Sequence, residues 1–149
     1  MARNIIKIPP FEYIHVMDGN ANVTRLIVGP QTFVLQDHEK IMTGQNTRSM
    51  ITLMPMTYCE IKNPVIRDAD KKLVYDDYGQ VKVKHGDSEY RISDDYPEPF
   101  PLHPQEELVS INELVNIPRN SAAKIVALRD HEDGDNKRVA GEEWLIYGP

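Results

Sequence analysis

Five histidines, one cysteine and a run of carboxylates are the residues of this 149-residue chain best suited to chemistry. The densest group is Asp130-His131-Glu132-Asp133-Gly134-Asp135, acidic and carrying a glycine, as calcium loops do. Setting Gly134 at the glycine of an EF-hand loop places Arg129 at the first ligand position and Ala140 at the twelfth, and neither can ligate there. The segment therefore reads as a solvated hairpin tip. Cys59 lies mid-strand between Tyr58 and Glu60 with no Gly-rich turn beside it, and reads as a small buried hydrophobe with no identifiable activating base. His15, His38, His85, His103 and His131 are scattered, none paired at a ligand spacing. No serine occupies a nucleophile elbow and no glycine loop would cradle a phosphate. The expectation is no catalytic residue, no metal ligand and no cofactor. An enzyme survives only as a reading in which folding gathers His or Asp groups from distant segments.

The elements that would position these groups come from a phrase that recurs. It appears as Ile8-Pro9-Pro10-Phe11-Glu12-Tyr13, returns as Leu53-Met54-Pro55-Met56-Thr57-Tyr58, and recurs more loosely from Ile117-Pro118. A period of about 50 residues indicates stacked β units that lean on their neighbours. The expected division is 1–54, 55–113 and 114–149. The last unit is expected to be incomplete, because Tyr147-Gly148-Pro149 matches Val28-Gly29-Pro30 but lacks the strand that follows Pro30. On that reading the chain is the N-terminal piece of a longer protein.

Proline and glycine punctuate short apolar runs throughout, which predicts an all-β fold of small antiparallel sheets. Tyr13–Val16, Arg25–Val28 and Thr32–Leu35 read as a three-strand meander. Val81–His85 alternates apolar and basic residues and is expected to pair with Ser88–Ile92 across a Gly86-Asp87 turn. In the last unit a long strand is expected to end near Asp130, followed by a loop through Glu132–Asp135 and a return over Glu143–Ile146. Four prolines within Pro97–Pro104 exclude a helix or central strand, so residues 96–104 read as an extended strap between units.

The formal net charge is −6, from 17 Lys and Arg against 23 Asp and Glu, and no basic stretch is interleaved with aromatics. Displacing phosphate counterions needs a positive field, so this segment is a poor nucleic-acid binder. No apolar run approaches the about 20 residues of a membrane-spanning helix, so no membrane partner is expected. A single cysteine and no signal-peptide core suit a reducing, cytoplasmic setting.

Ile8-Pro9-Pro10, Tyr13-Ile14-His15-Val16 and Val28-Gly29-Pro30 with Thr32 resemble the opening of the major vault protein family. Tyr58-Cys59 with Asn63-Pro64-Val65, then Gly79-Gln80-Val81 and His85, extend the likeness. So do Phe100-Pro101-Leu102-His103-Pro104 and Ala140-Gly141-Glu142-Glu143-Trp144-Leu145, in the same order. The resemblance implies a non-enzymatic shell protein of a hollow cytoplasmic ribonucleoprotein barrel, with nuclear presence compatible. Copies stand side by side, and N-terminal repeats join two half-shells at the waist. It implies self-association as the main partnership. Vault poly(ADP-ribose) polymerase, telomerase-associated protein and vault RNA share the particle, the RNA not bound by this segment.

The family's half-to-half contact involves charged residues after the third strand, which match Asp37 and Lys40 here, Lys40 standing where the family often has arginine. Leu35 takes a position that is basic in the family. Arg3 and Asn4 stand where it has an acidic pair. The expected interface is Leu35, Asp37, His38 and Lys40, and acidification is expected to loosen it through Asp37 and His38. The competing expectation is a β-repeat adaptor that docks a partner through the Pro-rich strap or an open sheet edge.

Overall fold

The computed structural model describes residues 4–44 and 47–149, and every regular element among them is a strand. The chain divides into two compact units, Met1–Glu113 and Leu114–Pro149. Arg3 lies outside the described residues.

The first unit opens with β1 (Asn4–Ile8), β2 (Glu12–Asp18), β3 (Val23–Val28), β4 (Gln31–Leu35), β5 (Glu39–Ile41) and β6 (Arg48–Ser49). Strand β2 is central: β3 lies along one edge, β5 and β6 along the other, all antiparallel. Its side chains alternate between two cores, as the period of two requires. Ile14 and Val16 are 1% and 0% exposed and pack with Ile8, ringed by Ile6, Ile27, Phe33, Leu35 and Ile41. Tyr13, on the opposite face, enters a second core with Ile51, Leu53, Cys59, Ile61, Phe100 and Leu102.

The expected meander over Tyr13–Leu35 does not form. Strand β4 leaves the β2–β3 sheet and pairs with β1 instead, in the register Ile6↔Phe33. The cause sits at Gly29-Pro30. The Gly29 amide donates to the Glu12 carbonyl at 2.9 Å, and a Cβ there would collide with the Ile8 and Pro9 carbonyls. Only glycine permits that approach, and Pro30 then has no N–H to continue the ladder.

Strands β7 (Thr57–Lys62), β8 (Ser88–Ile92) and β9 (Glu107–Glu113) form the next sheet, in the order β8-β7-β9. Cys59 and Ile61, both 0% exposed, supply its buried face. Here a second expectation fails: Ser88–Ile92 pairs with β7, from Lys62↔Ser88 to Tyr58↔Ile92, and not with Val81–His85. The intervening chain folds on itself, with bridges Val65↔Val83, Arg67↔Leu73 and Tyr75↔Val81 around a core of Val65, Val81, Val83 and Leu73. Asp68 and Asp76 each accept two backbone amides in its turns. Alternation shows that Val81–His85 has one wet face, but not which strand it meets. The excursion thus replaces the tight turn that joins β2 to β3.

In the second unit, β10 (Ala122–Val126) pairs with β13 (Glu143–Tyr147), register Ile125↔Trp144. The helix-forming alanines are in a strand, and the return strand lies where the pattern put it. The first strand is shorter than expected. It stops at Val126, where buried Ala127 exchanges hydrogen bonds with Glu142 and Gly141 and turns the chain. Glu132 and Asp133 are not loop residues: β11 (His131–Asp133) and β12 (Asn136–Arg138) form a small hairpin about Gly134.

The recurring phrase has one geometry. Phe11, Met56 and Asn120 each have φ of 63°. The carbonyl of the residue that follows each of them accepts an amide at 2.9–3.0 Å, from Gly29, Ser93 and Gly148 respectively.

Truncating Ile61 to alanine leaves a cavity at the centre of the second core and is expected to cost about 2–5 kcal/mol in urea denaturation followed by circular dichroism. Leu128→Ala, at a side chain 93% exposed, should stay within about 0.5 kcal/mol.

Candidate assembly surface and the junction behind it

The charged turn after β4 is built around a carboxylate that points inward. Glu39 has a side chain 3% exposed. It accepts the Gln36 amide at 3.0 Å and Arg25 Nη2 at 2.5 Å, while its own amide donates to the Gln36 carbonyl at 3.0 Å. Arg25 also lies over the Phe33 ring, 5.6 Å from its centroid. The His38 carbonyl accepts the Gly19 amide at 2.6 Å. The turn is therefore tethered at Gln36, His38 and Glu39.

On that frame Asp37, His38 and Lys40 are exposed together at one end of the β2 sheet, Lys40 opposite Met17. His38 Nε2 stands 3.8 Å from Asp18 Oδ1. Amides of Asn20 and Ala21 donate to Asp18, and chiefly these, with the nearby His38 and Arg25, hold its carboxyl below the ordinary range. Leu35 differs from the other three: it packs against the Ile8–Ile14–Val16 core. Nothing in the spacing distinguishes Glu39, inward and structural, from its outward neighbours.

Other residues with chemical potential are placed as follows. Cys59 is buried beneath β7, and burial pushes its thiol up despite nearby Arg91. Asp130 accepts the Ala140 amide at 2.7 Å, and His131 stacks near Trp144. Among the described residues no group of three or more His, Cys, Asp or Glu is disposed to hold a metal. A recess of about 200 Å³ follows β3 and is lined by Thr24, Arg25, Leu26, Tyr75 and His103 among others. None of its lining residues is a Ser, Cys, Asp or Glu.

Behind the turn lies the junction between the first two sheets. Glu106, with a side chain 0% exposed, accepts Arg91 Nη2 at 2.7 Å, the Val65 amide at 3.1 Å and the His103 amide at 2.8 Å. Arg91 lies over Tyr96 and Phe100, 5.4 and 5.1 Å from their centroids. Burial works against its charge, and the Glu106 and Glu89 carboxylates outweigh that, holding it above its ordinary value. The strap is pinned further by paired hydrogen bonds between Ile51 and Phe100, and by His15 Nε2 on the Leu102 carbonyl at 2.7 Å. Gln80 clamps the excursion to β3, its side-chain amide bonding both the N–H and C=O of Thr24. Arg91 is buried, its Nε also donating to Glu89 Oε1 at 3.3 Å. His15 and His103, unpaired in sequence, come to flank the same strap residue.

These features define a tandem antiparallel β-repeat protein whose first two sheets share a core. The Major Vault Protein repeat domain matches residues 50–111 in one form and 115–149 in another. The major vault protein of Strongylocentrotus purpuratus is 48% identical over 147 residues, covering 98% of this chain and 17% of the relative. Major vault protein alpha of Dictyostelium discoideum is 47% identical over 147 residues, covering 98% and 17%. The Homo sapiens major vault protein is 46% identical over 147 residues, covering 97% and 16%. The chain belongs to the major vault protein family, and it spans about a sixth of the length of these curated relatives.

Glu106→Gln removes the buried partner of Arg91, leaving only the more exposed Glu89 at 3.3 Å, and is expected to destabilise the first unit by about 3–5 kcal/mol in urea. Pairing Glu106→Gln with Arg91→Met should recover part of that loss, because no unpaired charge is then left inside.

Proposed function

We propose that this chain is a shell component of a vault particle, non-enzymatic, acting through self-association at the waist where two half-shells meet. The observation that carries the reading is 48% identity across 98% of the chain to a major vault protein. Units 1–54, 55–113 (with the strap at 96–104) and 114–149 are taken as successive vault repeats. The half-to-half contact is assigned to Asp37, His38 and Lys40, with Leu35 beneath them. The tethered turn supports it: three exposed polar side chains on a fixed backbone lose little entropy on docking. Lys40 lacks arginine's bidentate fork, so its pairing with an opposing Asp37 is looser in geometry.

Partners proposed on the same basis are further copies of this chain, with vault poly(ADP-ribose) polymerase, telomerase-associated protein and vault RNA sharing the particle in the cytoplasm. The adaptor reading has less support, since Phe100, Leu102 and Pro104 of the strap are buried and not presented to a partner.

A chimaera in which this chain replaces the matched segment of the sea urchin relative is expected to form closed hollow barrels under negative stain. Asp37→Lys in that chimaera places like charges across the joint and should shift the particles to half-barrels. Closed barrels at the parent's frequency would remove Asp37 from the contact. Absence of any barrel from the parent chimaera would overturn the shell reading itself.

A further inference from the structure

His15 lies on β2, and its Nε2 meets the Leu102 carbonyl at 2.7 Å. A carbonyl only accepts, so Nε2 carries the ring's proton and the proton that acid adds must go to Nδ1. The neighbouring residue, His103, donates its backbone amide to Glu106 Oε1 at 2.8 Å. Two half-buried imidazoles thus bracket the end of the strap, where it crosses from the first sheet to the second.

The charges facing them are unbalanced. Arg48 on β6 and the Tyr13 ring on β2 (5.4 Å between ring centroids) face His15. Arg67 of the excursion and Arg91 of β8 face His103. The one carboxylate facing both is Glu106, already engaged by Arg91 and two backbone amides. Each ring also reduces the room for charge on its neighbour, since His103 feels His15.

We propose that His15 and His103 form an acid-released latch between the first two repeats: with both rings neutral, His15 holds the Leu102 carbonyl against β2, and charging the two rings among Arg48, Arg67 and Arg91 drives the strap away. Burial keeps both rings below the ordinary histidine value, outweighing the Leu102 carbonyl at His15 and the Glu106 carboxylate at both, which favour the charged form. The sign follows. The released chain takes up protons at about pH 6.5 and the latched chain only lower. The contribution of the two rings to closure is therefore complete above about 6.5 and is lost as pH falls through their lowered values. The latch does not depend on assembly, and it is separate from His38, which lies beside Asp18 on the charged turn.

Amide exchange on the intact chain tests it. The reporters are Ile51 and Phe100, whose amides donate to each other's carbonyls at 2.8 and 3.0 Å, with Ile125 in the second unit as reference. Between pH 7.5 and 5.0, protection at Ile51 and Phe100 should fall by about threefold or more relative to Ile125. The double variant His15→Gln/His103→Gln should lose most of that dependence, and His38→Gln should keep it. Imidazole NMR titration of the unmodified chain gives a reading that no folding failure can obscure: His15 and His103 should titrate below the ordinary histidine value of about 6.5. Either ring titrating at or above about 6.5, or protection that does not change with pH, would overturn the latch.

Discussion

The buried pair of Arg91 and Glu106 is the constraint on which the first unit turns. One carboxylate gathers a guanidinium from β8, an amide from the start of the excursion and an amide from the end of the strap. The three residues themselves, Val65, Arg91 and His103, lie far apart along the chain. A buried ion pair contributes little net stability over apolar residues of the same shape, because desolvation consumes much of the attraction. Its effect here is on geometry. A carboxylate with three fixed donors admits one placement of the strap, and Tyr96 and Phe100 close over the Arg91 plane. A Pro-rich segment with no hydrogen-bonded partner strand along most of its length thereby becomes a core element.

That constraint decides how the repeats relate. Strand β2 could have been the wall of a single small sandwich, with its second face wet. Instead Tyr13 is 2% exposed and belongs to the core shared with Cys59 and Ile61. Small β units have too little interior to be self-sufficient, and the first unit resolves this by letting two sheets bury one another's backs. The charged turn bearing Asp37 and Lys40 is then the outer end of a doubly buried sheet. Its rigidity comes from Glu39 locally and from the shared core at a distance.

The all-β class, the small antiparallel sheets and the return strand of the last unit were legible because β-branched runs and Gly-Pro breaks act locally. Strand partnership was not. The Val81–His85 and Ser88–Ile92 runs each have the right alternation, yet meet different strands, because pairing is settled by long-range burial that alternation cannot express. The same holds for charge. Glu39 and Glu106 look like any surface carboxylate in sequence, and Arg91 like any exposed cation of an alternating strand. What marks Arg91 is its register opposite Cys59, an inward position visible only once β7 and β8 are paired. His15 comes to the strap beside His103 for the same reason: the strap's path is fixed by residues elsewhere.

The second repeat shows what happens when the shared turn loses its glycine. In the first and last repeats, Gly29 and Gly148 press against the carbonyls of the Ile-Pro pair before the strand, leaving no room for a Cβ. The second repeat has Ser93 at that place, making the same amide bond to Thr57 at 3.0 Å. A recess there is lined by Leu53, Pro55, Ser93, Asp94 and Pro97. Ser93 Oγ is buried there without a hydrogen-bond partner among the described residues. The chain beyond Ser93 is also released from the path that carries Pro30 into β4. It runs instead into the strap, whose Phe100 and Leu102 fill the core shared with Tyr13. Serine in place of glycine thus goes with a chain that turns back to join its neighbour instead of continuing into a strand like β4.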